Sequence, residues 1–198
     1  MRLPSYIEDA YPLSMFQSSI IFQSEYDSEH ILYQNIFSIH IRSLFLSEEF
    51  LLALRQLPTR HPTLRTSFNL TDFTIPLQLV HTSVIPFIEI SDIKDLSHKE
   101  QENYLSEVIE REKKNRLDLK NPPLIRFKVY LRTNNTFQLI ITEHEAILDG
   151  WSVASMLTEL FQHYLVIVGY SEAPFSSVPS SRVRDFIALE RETLHLSY

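Results

Sequence analysis

The sequence predicts an α/β fold, a mixed sandwich of strands and helices. Three observations carry the expectation: runs of period-two alternation that read as strands, runs of helical spacing opened by a serine, and the interleaving of the two along the chain. The hairpin Leu124 to Glu143 is expected in the main sheet, and helices opening near Ser47, Ser97 and Ser152 are expected to cover a face of it. With 198 residues, 44% of them hydrophobic, the chain suits one domain spanning 1–198.

Taken in order, the segment Glu8 to Ser14 reads as an extended lead-in, because Pro12 disfavours helical geometry at Tyr11 and Ser14 can cap the helix that follows. Met15, Phe16, Ile20 and Ile21 form the stripe of that core helix. Tyr33 to Ile41 alternates and reads as a strand. The next helix is capped by Ser47, favoured at its N-terminus by Glu48 and Glu49, buried through Phe50, Ala53, Leu54 and Leu57, and stopped by Pro58 and Pro62. Arg60 to Phe68 reads as a helix end followed by a short strand. Ile75 to Ile90 holds two apolar runs broken by Pro76 and Pro86, best matched by irregular or edge strands. A capping box at Ser97-His98-Lys99-Glu100 opens a helix with Tyr104, Leu105, Val108 and Ile109 inward, and the mixed charges from Glu110 to Lys114 read as its solvated face. Ile125, Phe127, Val129 and Leu131 share one face of a strand that Asn134-Asn135 turns into another. That second strand carries Phe137, Leu139 and Ile141, and Gly169 to Ser181 is a loop rich in Ser and Pro.

Composition excludes several classes of function. The formal charge of −7 is dispersed and no basic cluster marks a nucleic-acid footprint. No cysteine is present, so disulfides, thiolate metal sites and a thiol nucleophile are excluded, which suits a reducing cytosol. No apolar run is long enough to span a bilayer, and the first residues lack the apolar core of a signal peptide. A cytoplasmic protein with no nucleic-acid or membrane partner is therefore expected.

Chemistry concentrates at Thr142 to Ser152, where a strand meets a helix. His144, Glu145 and Asp149 lie at the strand end or in the turn, Gly150 is expected to supply backbone freedom, and Trp151-Ser152 to begin the helix with a Ser cap. A zinc-binding His-Glu-x-x-His helix fails, since Leu148 stands where the second histidine should be, and no metal is expected. With two glycines and no Gly-x-Ser-x-Gly, a serine nucleophile elbow fails too.

His144-Glu145-x-x-x-Asp149-Gly150 resembles the His-His-x-x-x-Asp-Gly core of the condensation domains of nonribosomal peptide synthetases, in the chloramphenicol-acetyltransferase-like superfamily. Three further stretches resemble that family in the same order: Pro12-Leu13-Ser14-x-x-Gln17, then Arg60-His61-x-x-Leu64-Arg65-Thr66-x-Phe68, and, after the core, Arg184-Asp185-Phe186-Ile187-Ala188, whose usual leading Tyr is here Val183. The resemblance implies the N-terminal lobe of a two-lobed domain, since the later motifs have no counterpart. It implies acyl transfer that forms amide bonds between thioesters on carrier proteins, which bring phosphopantetheine themselves, so no cofactor of its own is expected. Glu145 stands at the position of the family's catalytic histidine, with His144 beside it. Asp149, Gly150 and Arg65 are implied to be structural, with Asp149 as the candidate partner of the Arg65 guanidinium, and Trp151 and Ser152 to border the substrate channel.

An ordinary carboxylate, with pKa about 4.3, is a weaker base than imidazole, at about 6.5, unless burial raises it. Loss of the histidine and of the second lobe both point to a chain that is inactive alone. Two functions stay open: an acyltransferase lobe working with a separate second lobe, the rest of a synthetase or copies of itself, and a silent module that docks a carrier protein or tailoring enzyme.

Overall fold

The structure is a computed structural model that describes residues 3–27, 29–172 and 182–195. It is a mixed α/β arrangement with two sheets. The element order is β1 (Ile7–Pro12), α1 (Met15–Tyr26), β2 (Gln34–Ile41), α2 (Ser47–Arg60), a 3-10 turn (Pro62–Arg65), β3 (Thr66–Asn69), β4 (Leu77–His81), β5 (Phe87–Asp92), α3 (His98–Glu112), β6 (Ile125–Thr133), β7 (Thr136–His144), α4 (Gly150–Val168) and α5 (Val183–His195).

The larger sheet has the order β2-β7-β6-β5, with only β5 parallel to its neighbour. Alternation along the β6–β7 hairpin sorts its side chains to two faces. Phe127, Val129, Phe137, Leu139 and Ile141 pack with Phe50, Leu54 and Leu57 of α2 and with Val153, Leu160 and Tyr164 of α4. On the opposite face Tyr130 and Ile140 meet Leu105 and Val108 of α3. The helices thus cover both faces, where the sequence led us to expect one. The smaller sheet, β1-β4-β3, is antiparallel throughout, and β4 is its central strand although the prolines around it suggest an edge. Pro76 falls just outside β4 and so costs it no ladder hydrogen bond.

Several helix boundaries differ from expectation for local reasons. Leu46, not Ser47, is the N-cap of α2; no side chain caps the first helical amides, and the Leu46 N–H itself donates to the Tyr164 hydroxyl of α4 at 2.8 Å. Pro58 lies inside α2, which runs on to Arg60. Ser97 forms the expected capping box, and Ser14 the expected cap, which the Gln17 side chain completes as a second capping box. In α1 the core stripe is Gln17, Ile20, Ile21 and Ser24, while Met15 and Phe16 are exposed. Residues 173–181 of the expected Ser/Pro loop lie outside the described residues.

Candidate active site

Strand β7 delivers the motif. It ends at His144, and its register with β2 places Glu143 opposite Asn35 and His144 opposite Gln34. The chain then turns: the Glu145 N–H donates to the Tyr33 carbonyl at 2.8 Å and the Ile147 N–H to the His144 carbonyl at 3.0 Å. Tyr33 has φ +59°, a left-handed geometry that is unfavourable for an aromatic residue and persists here under that hydrogen bond. Gln17 fixes the far side of the turn, its amide donating to the Ala146 carbonyl at 2.9 Å and pairing with the buried Gln78 amide. The Pro-Leu-Ser-x-x-Gln stretch therefore braces the corner, a role that its spacing did not reveal.

Asp149, not Ser152, caps α4. Its Oδ1 accepts the Ser152 N–H at 2.7 Å, and hydrogen bonds from Ser152 hold its carboxyl below the usual carboxylate range. The expected pair with Arg65 is absent, because Arg65 is engaged elsewhere. Its Nε donates to the Pro58 carbonyl at 2.6 Å, and its Nη1 to Glu8 at 2.6 Å and to the His81 carbonyl. Its bonds tie α2 to the smaller sheet rather than to the motif. Gly150 does not supply unusual backbone freedom: its φ is not in the left-handed region, and a Cβ there would meet nothing within 4 Å. The glycine whose conformation demands it is Gly169, φ +85°, the C-cap of α4.

Glu143 and His144 are buried side by side in sequence with opposite electrostatic outcomes. Burial pushes the Glu143 carboxyl up to about 7, opposed by the Asn35 amide and reinforced by the charges of Glu145 and Asp149. One of its oxygens accepts from Asn35 Nδ2 at 2.8 Å, and the other has no partner. Burial, helped by Arg116, pushes the His144 imidazole down to about 4. Its Nδ1 accepts the Ala146 N–H at 3.1 Å, which places the proton of the neutral ring on Nε2, an atom without a partner. His144 is therefore neutral and bound to the backbone of its own turn. Glu145 is half-buried, and its carboxylate makes no hydrogen bond or ion pair among the described residues. Of the three adjacent ionisable groups, it alone combines access with a side chain not committed to the scaffold.

Trp151 is 83% exposed and, with the half-buried Ser152, borders a groove of ≈ 320 Å³ whose floor includes Gln17, Ala146 and Met156. Glu145 does not line it. Among the described residues no group of three or more His, Asp or Glu side chains could hold a metal ion, and no helix is long and apolar enough to cross a membrane. Sequence reasoning missed Glu112. Assigned to a solvated helix face, it is 2% exposed and bound by Thr142 Oγ1 (2.8 Å), Arg126 (2.9 Å) and Lys128 (3.3 Å), anchoring the end of α3 under β6 and β7. The signal available was the alternation of Arg126 and Lys128 on the strand face that α3 covers.

The condensation-domain family model matches residues 7–195. A relative from Pseudomonas aeruginosa, the AMB antimetabolite synthetase AmbE, is 33% identical over 193 residues, covering 96% of this chain and 9% of that protein. A linear gramicidin synthase of Brevibacillus parabrevis is 31% identical over 173 residues, 87% of this chain and 3% of its own length. Among solved structures, the starter condensation domain of rhizomide synthetase RzmA superposes with a TM-score of 0.80 at 15% identity, over 94% of this chain and 44% of that one. The chain thus spans under a tenth of these synthetases and less than half of that solved domain. With a family match across nearly the whole described length and the motif at its strand-to-helix corner, this chain belongs to the condensation-domain family of nonribosomal peptide synthetases.

Proposed function

We propose that the chain acts as the N-terminal lobe of a condensation domain, contributing half of a site in which an amine on one carrier-bound thioester attacks another. The observation that carries this is the corner itself: β7 presents the motif, Gln17 and Asp149 brace it on either side, and the Glu145 carboxylate is uncommitted. By the motif's resemblance to the family's core, Glu145 takes the place of the histidine. Phosphopantetheine would arrive on the partner carrier proteins. A second lobe, separate or in the same polypeptide, would close the channel. The cytosol is the compartment that suits a cysteine-free chain.

The chain alone should not turn over. Orientation of the two arms is worth several powers of ten in rate and a well-placed base about 10² to 10⁴, and one lobe supplies only part of the first. A second reading, a silent module that docks a carrier or tailoring enzyme, is favoured by the carboxylate itself: it attracts an ammonium, and an ammonium is not a nucleophile. The experiment is a condensation assay with loaded donor and acceptor carriers, using the chain and Glu145→His, each with and without a C-terminal lobe. Product with the second lobe present and Glu145 unchanged supports the enzyme. Product that needs both the lobe and Glu145→His supports the silent module. Dipeptide from the unmodified chain alone would falsify the requirement for a second lobe.

A further inference from the structure

The groove beside Trp151 continues into a second depression of ≈ 510 Å³ on the far side of His61, Thr63 and Val183, which line both. Its walls come from β1, from the end of α2 with the 3-10 turn, and from the start of α5. Four guanidinium groups, Arg60, Arg65, Arg182 and Arg184, converge there in a chain whose formal charge is −7. The two carboxylates in the lining are both engaged, Glu8 with Arg65 at 2.6 Å and Asp9 with Arg184 at 2.9 Å. Arg60 is held from behind by Glu159 of α4. Arg184 also lies over the Tyr11 ring, 5.9 Å from its centroid.

Those contacts fix three of the guanidinium groups before any ligand arrives, which lowers the entropic cost of binding. The fourth differs. Arg182 is exposed, and among the described residues its side chain has no hydrogen bond or ion pair. The Thr63 hydroxyl, half-buried at the junction of the two depressions, also lacks a hydrogen-bond partner there. Helix α5 begins at Val183, with Asp185 in its first turn. The Asp185 and Phe186 N–H groups already donate to the Arg182 carbonyl at 3.0 and 3.4 Å, so of its first amides only those of Val183 and Arg184 precede the helical bonds, at the same wall. Arginines and helix amides arriving from three elements offer donors on several sides, a pattern suited to a tetrahedral oxyanion more than to a flat carboxylate.

We propose that this arginine-lined basin binds a phosphate group, free or esterified, with Arg182 as its principal direct contact and Thr63 as a hydroxyl donor. Arg60, Arg65 and Arg184, each already paired with a carboxylate, shape the walls from fixed positions rather than adding net charge. The groove toward Ala146 and Trp151 gives the remainder of an esterified ligand a place to lie. The inference does not depend on the condensation reading, because phosphate can bind whether or not amides are formed.

The test is calorimetric titration of the whole chain with inorganic phosphate, with 4′-phosphopantetheine and with pantetheine lacking phosphate, at low and at physiological salt. Both phosphates should bind and pantetheine should not, with weaker binding at higher salt. Arg182→Ala should lower affinity at least tenfold and leave the melting temperature of the unliganded protein unchanged. Arg191→Ala, on the exposed part of α5 outside the basin, should leave affinity intact. Tighter binding of phosphopantetheine than of inorganic phosphate identifies an esterified ligand, and equal binding identifies the free anion. Absence of phosphate binding, equal binding by Arg182→Ala, or an equal loss in Arg191→Ala overturns the proposal.

Discussion

Glu143 and His144 titrate in ways that cancel. With its carboxyl near 7 in the folded chain and near the ordinary value when unfolded, Glu143 favours folding fully below that ordinary value, and the benefit is lost as pH rises through about 7. His144 does the reverse: its neutral ring favours folding above the ordinary imidazole value, and that benefit is lost as pH falls toward about 4. Between roughly pH 4.5 and 6.5 the slopes oppose each other. Glu143→Gln should remove one of them, raising stability at pH 8 by on the order of 3 kcal/mol and leaving a variant that loses stability steadily below pH 6.5. Denaturant melts at pH 5, 6.5 and 8 would show it, and a wild-type slope retained in the variant would refute it. Asp149 calls for a different variant. As an N-cap it should tolerate Asp149→Asn almost without cost, while Asp149→Ala should lose about 1 kcal/mol. A loss of several kcal/mol in Asp149→Asn would instead indicate the ion pair that the structure lacks. The residue types at this corner were legible in the sequence; their partners were not, because which arginine meets which acid depends on elements far apart in the chain.

At the scale of the element, strands were read well wherever apolar residues recur at every second position, as in β2, β6 and β7. Helix starts were read well at Ser14 and Ser97, and missed at Asp149, whose cap is just as local but lies three residues before the expected Ser152, and at Leu46, an N-cap without a side-chain cap. Helix α3 shows why charge patterning misled. Burial raises the Glu112 carboxyl, but the Thr142 hydroxyl and Arg126 more than offset it and hold it below the usual range. Its stabilisation is therefore present above the ordinary carboxylate value and lost as pH falls. Glu112→Ala leaves Arg126 and Lys128, both largely covered, without their carboxylate. The expected loss is about 3–5 kcal/mol, with hydrogen exchange accelerating first in the last turn of α3. A melt unchanged within about 1 kcal/mol would mean that the two cations find water instead.

Across the whole molecule, the fold class was legible because strand and helix periods differ, while the division of helices between two faces of the sheet was not, since nothing local says which face a helix will cover. The same applies to α1, which carries two apolar stripes. One, through Ile20 and Ile21, is buried; the other, Met15, Phe22 and Tyr26, is exposed, with the Phe22 and Tyr26 rings stacked at 6.1 Å. Such a surface favours association. The isolated chain should self-associate at tens of micromolar in light scattering, and Phe22→Asp should restore the monomer; a monomer at every concentration would argue against it. The brace between α1 and the motif turn also bears on how the chain folds. The bond from Gln17 to the Ala146 carbonyl joins residues 129 apart in sequence. Such closure carries a large loop entropy and forms late, so the corner should be among the last parts to lock as the chain matures. Until α1 has docked, the turn holding Glu145 is braced on one side only, and the order of folding becomes part of how the site acquires its shape.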